Sequence, residues 1–182
     1  MRFLIMTVGT THSGKTTFAN LLEKRLINSV VIDQDAQGEF LEKHYPSLLP
    51  EKGPKILKFA LSQTIVDFAI NKTDNHIILC NSNRQKQSRL NLIEKFKKEG
   101  FQTLIVNFDL PLEILKDRII NSHRDTTILR NVSNYDQVLD IQLKQTKIKG
   151  FIPPTEDEVD HLFTITNETD IKTVIEKIIN LV

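Results

Sequence analysis

The sequence predicts an α/β fold: a five-stranded parallel sheet covered by helices on both faces. Three observations predict it. Short apolar runs at residues 3–8, 30–32, 76–80, 103–108 and 162–166, most of them rich in β-branched residues, read as buried strands. Segments of helical periodicity separate them at short connections, as crossover helices between parallel strands do. The first run passes directly into Gly9-Thr10-Thr11-His12-Ser13-Gly14-Lys15-Thr16, which fits Gly, four free positions, then Gly-Lys-Ser/Thr, the pattern of a phosphate-binding loop between a strand and a helix.

The elements follow in order. A helix over residues 15–26 carries an apolar stripe of Phe18, Leu21, Leu22 and Leu26. The second strand ends in Asp33-Gln34-Asp35, carboxylates at the edge where open α/β sheets bind ligands. Aromatic, Tyr-Pro, Leu-Pro and Gly-Pro elements over residues 36–54 predict a short helix and then a mobile connection, a candidate substrate wall. Leu57, Leu61, Ile65 and Phe68 recur at helical spacing over residues 55–70. The third strand closes on Asn81-Ser82-Asn83, and a basic amphipathic helix follows with Leu90, Ile93 and Phe96 inward and Gly100 as its stop. Pro111 opens a helix running to about residue 122. The chain then turns polar and basic through Arg124 and Arg130, which predicts a lid at about residues 118–131. A helix at 135–149, an acidic loop, the fifth strand and a helix at 171–182 complete the chain.

At 182 residues the chain suits one domain spanning 1–182, and the absence of any repeat or linker composition agrees. With 24 basic and 23 acidic residues, no overall field draws it to nucleic acid or an anionic membrane. No apolar run approaches the roughly 20 residues of a membrane span. The single cysteine, Cys80, forms no internal disulfide, and a cytoplasmic location is expected. The five histidines show no metal-ligand spacing.

The loop carries the chemistry. Thr10, Thr11, His12, Ser13 and the start of the helix at Lys15, Thr16 and Thr17 turn backbone N–H groups and the positive helix end toward polyphosphate. Gly9 and Gly14 permit the path, Lys15 supplies a point charge for the β/γ oxygens, and Thr16 a hydroxyl for Mg²⁺. His12 lies inside the loop, within reach of a transferring phosphate. Two short patterns point to a GTP-dependent switch instead: Asp35-Ala36-Gln37-Gly38 fits DxxG, and Asn71-Lys72-Thr73-Asp74 fits the NKxD guanine reader. Spacing opposes them, because the second ends a helix where a guanine reader follows a strand. A kinase explains more residues: phosphoryl transfer needs neutralised phosphates, a carboxylate to accept the acceptor's proton, and cations over the moving group. The loop, Asp35, and Arg118 with Arg124 supply these in turn.

Those residues, together with Val31-Ile32-Asp33-Gln34-Asp35, Ile77 to Asn83 with Arg89, and Asn107-Phe108-Asp109-Leu110-Pro111 with Leu115 and Arg118, resemble AAA-type ATP-binding P-loop kinases that group the 5′-kinase domain of phage polynucleotide kinase with zeta-toxin-like enzymes. The resemblance covers roughly residues 1–135. It implies a nucleotide-kinase-like fold with a lid, ATP and Mg²⁺ as cofactors, Asp35 as general base, and Arg118 and Arg124 in the lid. Two positions depart. Polynucleotide kinases carry an arginine three residues after the base, which holds the substrate phosphate, and Gly38 stands there, so nucleic-acid ends are disfavoured. The aspartate that commonly closes the third strand is Asn81, which reaches Mg²⁺ through water at most. The expected activity is transfer from ATP to a hydroxyl of a small molecule, nucleotide or nucleotide sugar. A switch or weakly catalytic ATP/GTP-binding protein is the alternative, separable by its nucleotide preference.

Overall fold

The computed structural model describes residues 1–50, 56–124, 126, 129, 132–149 and 152–182. Five parallel strands, β1 (Arg2–Val8), β2 (Ser29–Ile32), β3 (His76–Leu79), β4 (Phe101–Phe108) and β5 (His161–Ile165), stand in the order β2-β3-β1-β4-β5. The central strand β1 is buried on both sides, so its alternating side chains serve two cores. Phe3 and Ile5 meet Phe18, Ala19 and Leu22 of α1 (Lys15–Glu23) and Val174, Ile175 and Ile178 of α7 (Asp170–Leu181). Leu4, Met6 and Val8 meet Val66, Ala69 and Ile70 of α3 (Ile56–Lys72) and Ile93 and Phe96 of α4 (Lys86–Lys98). A third cluster joins Leu115 and Ile119 of α5 (Leu112–Ile120) to Tyr135 and Leu139 of α6 (Tyr135–Lys149), outside the sheet layers.

Several expectations are corrected. The first helix ends at Glu23, because its last turn tightens: Arg25 N–H bonds to Leu22 O before Leu26 packs inward. Leu21 faces solvent. On α3 the buried stripe is Ser62, Val66, Ala69 and Ile70, one position off the predicted one, and Phe68 is 62% exposed. That helix has apolar residues on several faces, and its seat on the sheet, not periodicity, selects which are covered. The short helix expected after residue 36 is α2 (Gln34–His44), which begins earlier and so takes Asp35 into its first turn. A 3₁₀ turn at Pro46–Leu48 follows; the rest of the expected mobile connection, residues 51–55, lies outside the described residues. Gly100 does end α4, at φ +78°, with its N–H on Lys97 O.

Candidate active site

The carboxyl ends of the strands open on a cleft of about 1200 Å³, lined by the loop after β1, the start of α2, the end of β3, and residues of α5 and α6. Its floor is residues 9–16. Gly9 has φ +156°, and a Cβ there would come 2.9 Å from Phe108 Cβ, so only glycine lets the loop pass the end of β4. Gly14, the N-cap of α1, sits in the left-handed region at φ 95°, and a Cβ there would lie 3.3 Å from Arg118 Nη1. The first N–H groups of α1 have no intrahelical acceptor and face this edge. Lys15 is folded back on the loop, its ammonium donating to Thr10 O and to Ser13 Oγ at 3.1 Å. Burial lowers its pKa to about 8, against the pull of neighbouring acidic groups including Asp35.

His12 occupies φ 58°. Its Nδ1 meets Thr11 Oγ1 at 2.9 Å, its ring stands edge-on to Tyr135 with centroids 4.8 Å apart, and its buried Nε2 has no hydrogen-bond partner among the described residues. Burial, then the charges of Arg124 and Lys15, lower its pKa and favour the neutral ring. Thr11 N–H is held at 2.8 Å by Gln142 Oε1 of α6, and Arg84 donates to Gln142 O at 2.7 Å. Nothing in the sequence pattern marked Gln142.

Asp33 caps α2, accepting Asp35 N–H at 2.8 Å, and its second oxygen accepts from Thr16 Oγ1 at 3.1 Å. A hydroxyl and a carboxylate oxygen side by side suit a hard cation such as Mg²⁺. Among the described residues no cluster of three or more His, Cys, Asp or Glu could hold a metal by itself, so further ligands would be phosphate oxygens and water. Asn81 lines the cleft with its Oδ1 engaged by Gln34 N–H at 3.2 Å. Cys80 is buried beside Thr16, and burial raises its thiol to about 11, which favours the protonated form at neutral pH.

Asp35 projects into the cleft between two cations. Arg124 Nη2 donates to Oδ2 at 2.8 Å, and Lys58 Nζ of α3 approaches Oδ1 at 3.4 Å. Burial opposes the carboxylate's charge, but Lys58 and Arg124 outweigh it and hold its pKa below the ordinary value. The Arg124 guanidinium also lies 5.2 Å from the Tyr135 ring centroid. Arg118 belongs to α5 and not to a loop; it donates to His12 O at 3.1 Å and to Glu168 Oε1 at 2.8 Å. Arg130 lies outside the described residues, as does part of the expected lid. Glu168 and Lys58 were missed by sequence reading. Glu168 follows β5 at the carboxyl edge, a rule that could have found it; Lys58 reaches the cleft from the middle layer of the sequence, with no motif around it.

Both switch-like patterns lie where a switch cannot use them. Arg2, at the start of β1, donates to Ile70 O and Thr73 O, which puts Asn71-Lys72-Thr73-Asp74 at the amino edge of the sheet, opposite the cleft. Gly38 is buried inside α2, not free in a phosphate-facing loop.

A family model described as an AAA domain matches residues 4–137. No curated protein matches the chain. Among solved structures, the tunicamycin resistance protein of Deinococcus radiodurans is similar over 100% of this chain and 95% of its own, at 19% identity and TM-score 0.58. Shikimate kinase of Bacteroides thetaiotaomicron is similar over 98% and 97%, at 16% identity and TM-score 0.60. An APS kinase of Mycobacterium tuberculosis, solved with AMPPNP and APS, is similar over 99% and 96%, at 17% identity and TM-score 0.56. Identities this low speak for the fold, which is that of P-loop kinases. No helix among the described residues is long and apolar enough to cross a membrane.

Proposed function

The chain belongs to the AAA domain family, and we propose that it is a Mg·ATP-dependent phosphotransferase acting on a hydroxyl of a small molecule, nucleotide or nucleotide sugar. The observation that carries this reading is the Asp35 carboxylate, held by Lys58 and Arg124 across the cleft from the phosphate-binding loop. A switch that used Asp35 as the first residue of DxxG would need Gly38 in a phosphate-facing loop, and Gly38 is buried inside α2. A phosphotransferase needs a carboxylate there to take the proton of the attacking hydroxyl.

In this reading the amides of residues 9–16 bind the triphosphate and Lys15 neutralises its β/γ oxygens. Thr16 and Asp33 would hold Mg²⁺, with Asn81 touching its water, and the ion supplies charge neutralisation on the phosphates. The acceptor oxygen forms a bond to the γ-phosphorus while its proton passes to Asp35. The bond from that phosphorus to the β–γ bridging oxygen breaks, and ADP leaves with the electron pair. Arg118 and Arg124 lie near enough to the loop to meet charge on the transferred group. The smaller pocket of about 550 Å³ that adjoins Thr16 and Asp33, walled by Val31, Phe40, Leu61 and Ile65, offers space for an acceptor's apolar part. Two of the similar structures are kinases by name, of shikimate and of APS, which supports a small acceptor.

The test is an ATP-dependent phosphorylation screen over nucleosides, nucleotide sugars, small alcohols and 5′-hydroxyl oligonucleotides, with product mass as readout and Lys15→Ala as the blank. Acceptor-dependent ADP release with ATP preferred over GTP is expected. Tight binding of GTP without transfer to any acceptor would overturn the reading in favour of a switch.

A further inference from the structure

We propose that Lys58, threaded past Gly38 into the cleft, recognises an acceptor that is itself an anion, carrying a phosphate-like group beside its reacting hydroxyl. This rests on the phosphotransfer reading. Gly38 lies buried on α2 one turn beyond Asp35, and a Cβ at that position would come 3.2 Å from Lys58 Cδ. The missing side chain is therefore the channel along which the lysine stem runs. Glycine is a poor helix former, so α2 keeps this gap against its own propensity. The two helices are tied beside it, Ser62 Oγ of α3 donating to Gln37 Oε1 of α2. Lys58 is thus a placed group: its side chain is only 19% exposed, yet its ammonium lines the cleft.

Asp35 is held more closely by its other cation. Arg124 already meets Oδ2 at 2.8 Å, whereas the Lys58 contact to Oδ1 is 3.4 Å long, on a carboxylate that is 46% exposed. The attraction of Lys58 supports the carboxylate's charge, but a contact of that length and exposure is one that a competing anion can exchange. What it does is occupy the oxygen that an acceptor hydroxyl must address. An anionic group on the acceptor would draw the ammonium to itself, since a lysine is a mobile point charge suited to phosphate. Oδ1 would then be free to take the proton. Charge on the acceptor and release of the base become one event, and a neutral acceptor leaves Asp35 held on both oxygens. Glu39, one turn on from Asp35, lines the same cleft but is exposed to solvent.

The experiment titrates inorganic phosphate by calorimetry into the full chain saturated with Mg·AMPPNP, which fills the γ-phosphate position and leaves the acceptor side open. Lys58→Met should weaken phosphate binding at least about tenfold, as loss of one charge-assisted contact does. Gly38→Leu should do the same by filling the channel, while favouring the helix, and Lys58→Arg should retain binding. Unchanged phosphate affinity in Lys58→Met overturns the proposal. In transfer assays on matched acceptors, nucleosides against nucleoside monophosphates and sugars against sugar phosphates, the phosphorylated member should be favoured at least about tenfold in kcat/KM, and Lys58→Met should erase that preference. Equal use of neutral and anionic acceptors also overturns it. Absence of ADP release with every acceptor would count against the phosphotransfer reading alone, because the phosphate titration still decides whether Lys58 forms an anion site.

Discussion

Two arginine–carboxylate pairs in this molecule differ in what they leave free. Arg89 is fully buried; Nε donates to Glu158 Oε2 at 2.7 Å and Nη2 to Oε1 at 3.0 Å, and the rest of the fork meets the carbonyls of Asn83, Arg84 and Ile152. Burial works against the charge of Glu158, yet Arg89 holds its pKa below the ordinary value. Arg124 and Asp35 make one short contact at the cleft, partly in water, with Lys58 loosely on the second oxygen. The first pair ties α4 to the segment before β5 and has no donor left for a ligand. The second is incomplete by the same count, and an incomplete pair at a phosphate-binding loop is one that substrates can exchange into. Satisfaction of hydrogen bonds, more than charge or residue type, separates a fastening from a working site.

The comparison breaks most readily at Asp35. Asp35→Asn should lower turnover roughly two to four orders of magnitude with ATP affinity retained, as expected for loss of a general base. Asp33→Asn should keep the cap of α2, since asparagine caps as aspartate does, and should chiefly raise the Mg²⁺ concentration that transfer needs, with turnover at saturating Mg²⁺ lowered less than in Asp35→Asn. If Asp33→Asn silences transfer and Asp35→Asn does not, the working pair has been assigned to the wrong carboxylate. On the other side, Arg89→Ala should cost about 3–5 kcal/mol in denaturant unfolding, since it leaves the buried Glu158 carboxylate with the longer Lys86 contact, at 3.4 Å, in place of its two short ones. A cost under about 1 kcal/mol would mean that water reaches Glu158, and the two pairs would no longer differ in kind.

Lys15 sharpens the contrast through pH. Its folded pKa, about 8, lies below the ordinary 10.5, so between these values the unfolded chain holds more protons than the folded one. Unliganded stability should therefore rise with pH across that window in the wild type relative to Lys15→Met, followed by thermal unfolding. Affinity for Mg·ATP should move oppositely, falling as pH climbs past 8, because the phosphates need the ammonium. A flat affinity profile from pH 7 to about 9.5 would show that Lys15 meets no phosphate. The smallest effect is expected from Asn81→Asp: similar ATP affinity, with tighter Mg²⁺ dependence of transfer, since a carboxylate holds the metal's hydration shell better than an amide. Slower transfer would show that the amide serves the acceptor or the Gln34 N–H instead.

The sheet, its strands and the loop were legible because each is written locally. Apolar runs report burial on both faces, and Gly9, Gly14, Lys15 and Thr16 sit at fixed spacing. What escaped were contacts between elements distant in sequence. Phe68 and Leu21 fit a helical stripe but face water, because the tilt of a helix on the sheet is a tertiary outcome. Gln142, Glu168 and Lys58 enter the site from helices or edges that carry no motif. Gly38 was read as a missing arginine, and its meaning changes once the stem of Lys58 is seen beside it.

The strand order has a consequence for how the chain reaches this state. Leu4 of β1 pairs with Ile77 of β3 and with Thr103 of β4, separations of 73 and 99 residues (77 − 4 and 103 − 4). The central strand emerges in synthesis before either neighbour, and it cannot pair on one side until about 73 further residues have followed, nor on the other until about 99. Such non-local pairing makes for slow folding and a long interval in which β1 is exposed to self-association. Refolding yield should therefore fall with protein concentration, and a helper that shields apolar segments during synthesis should matter more to this protein than its final stability suggests.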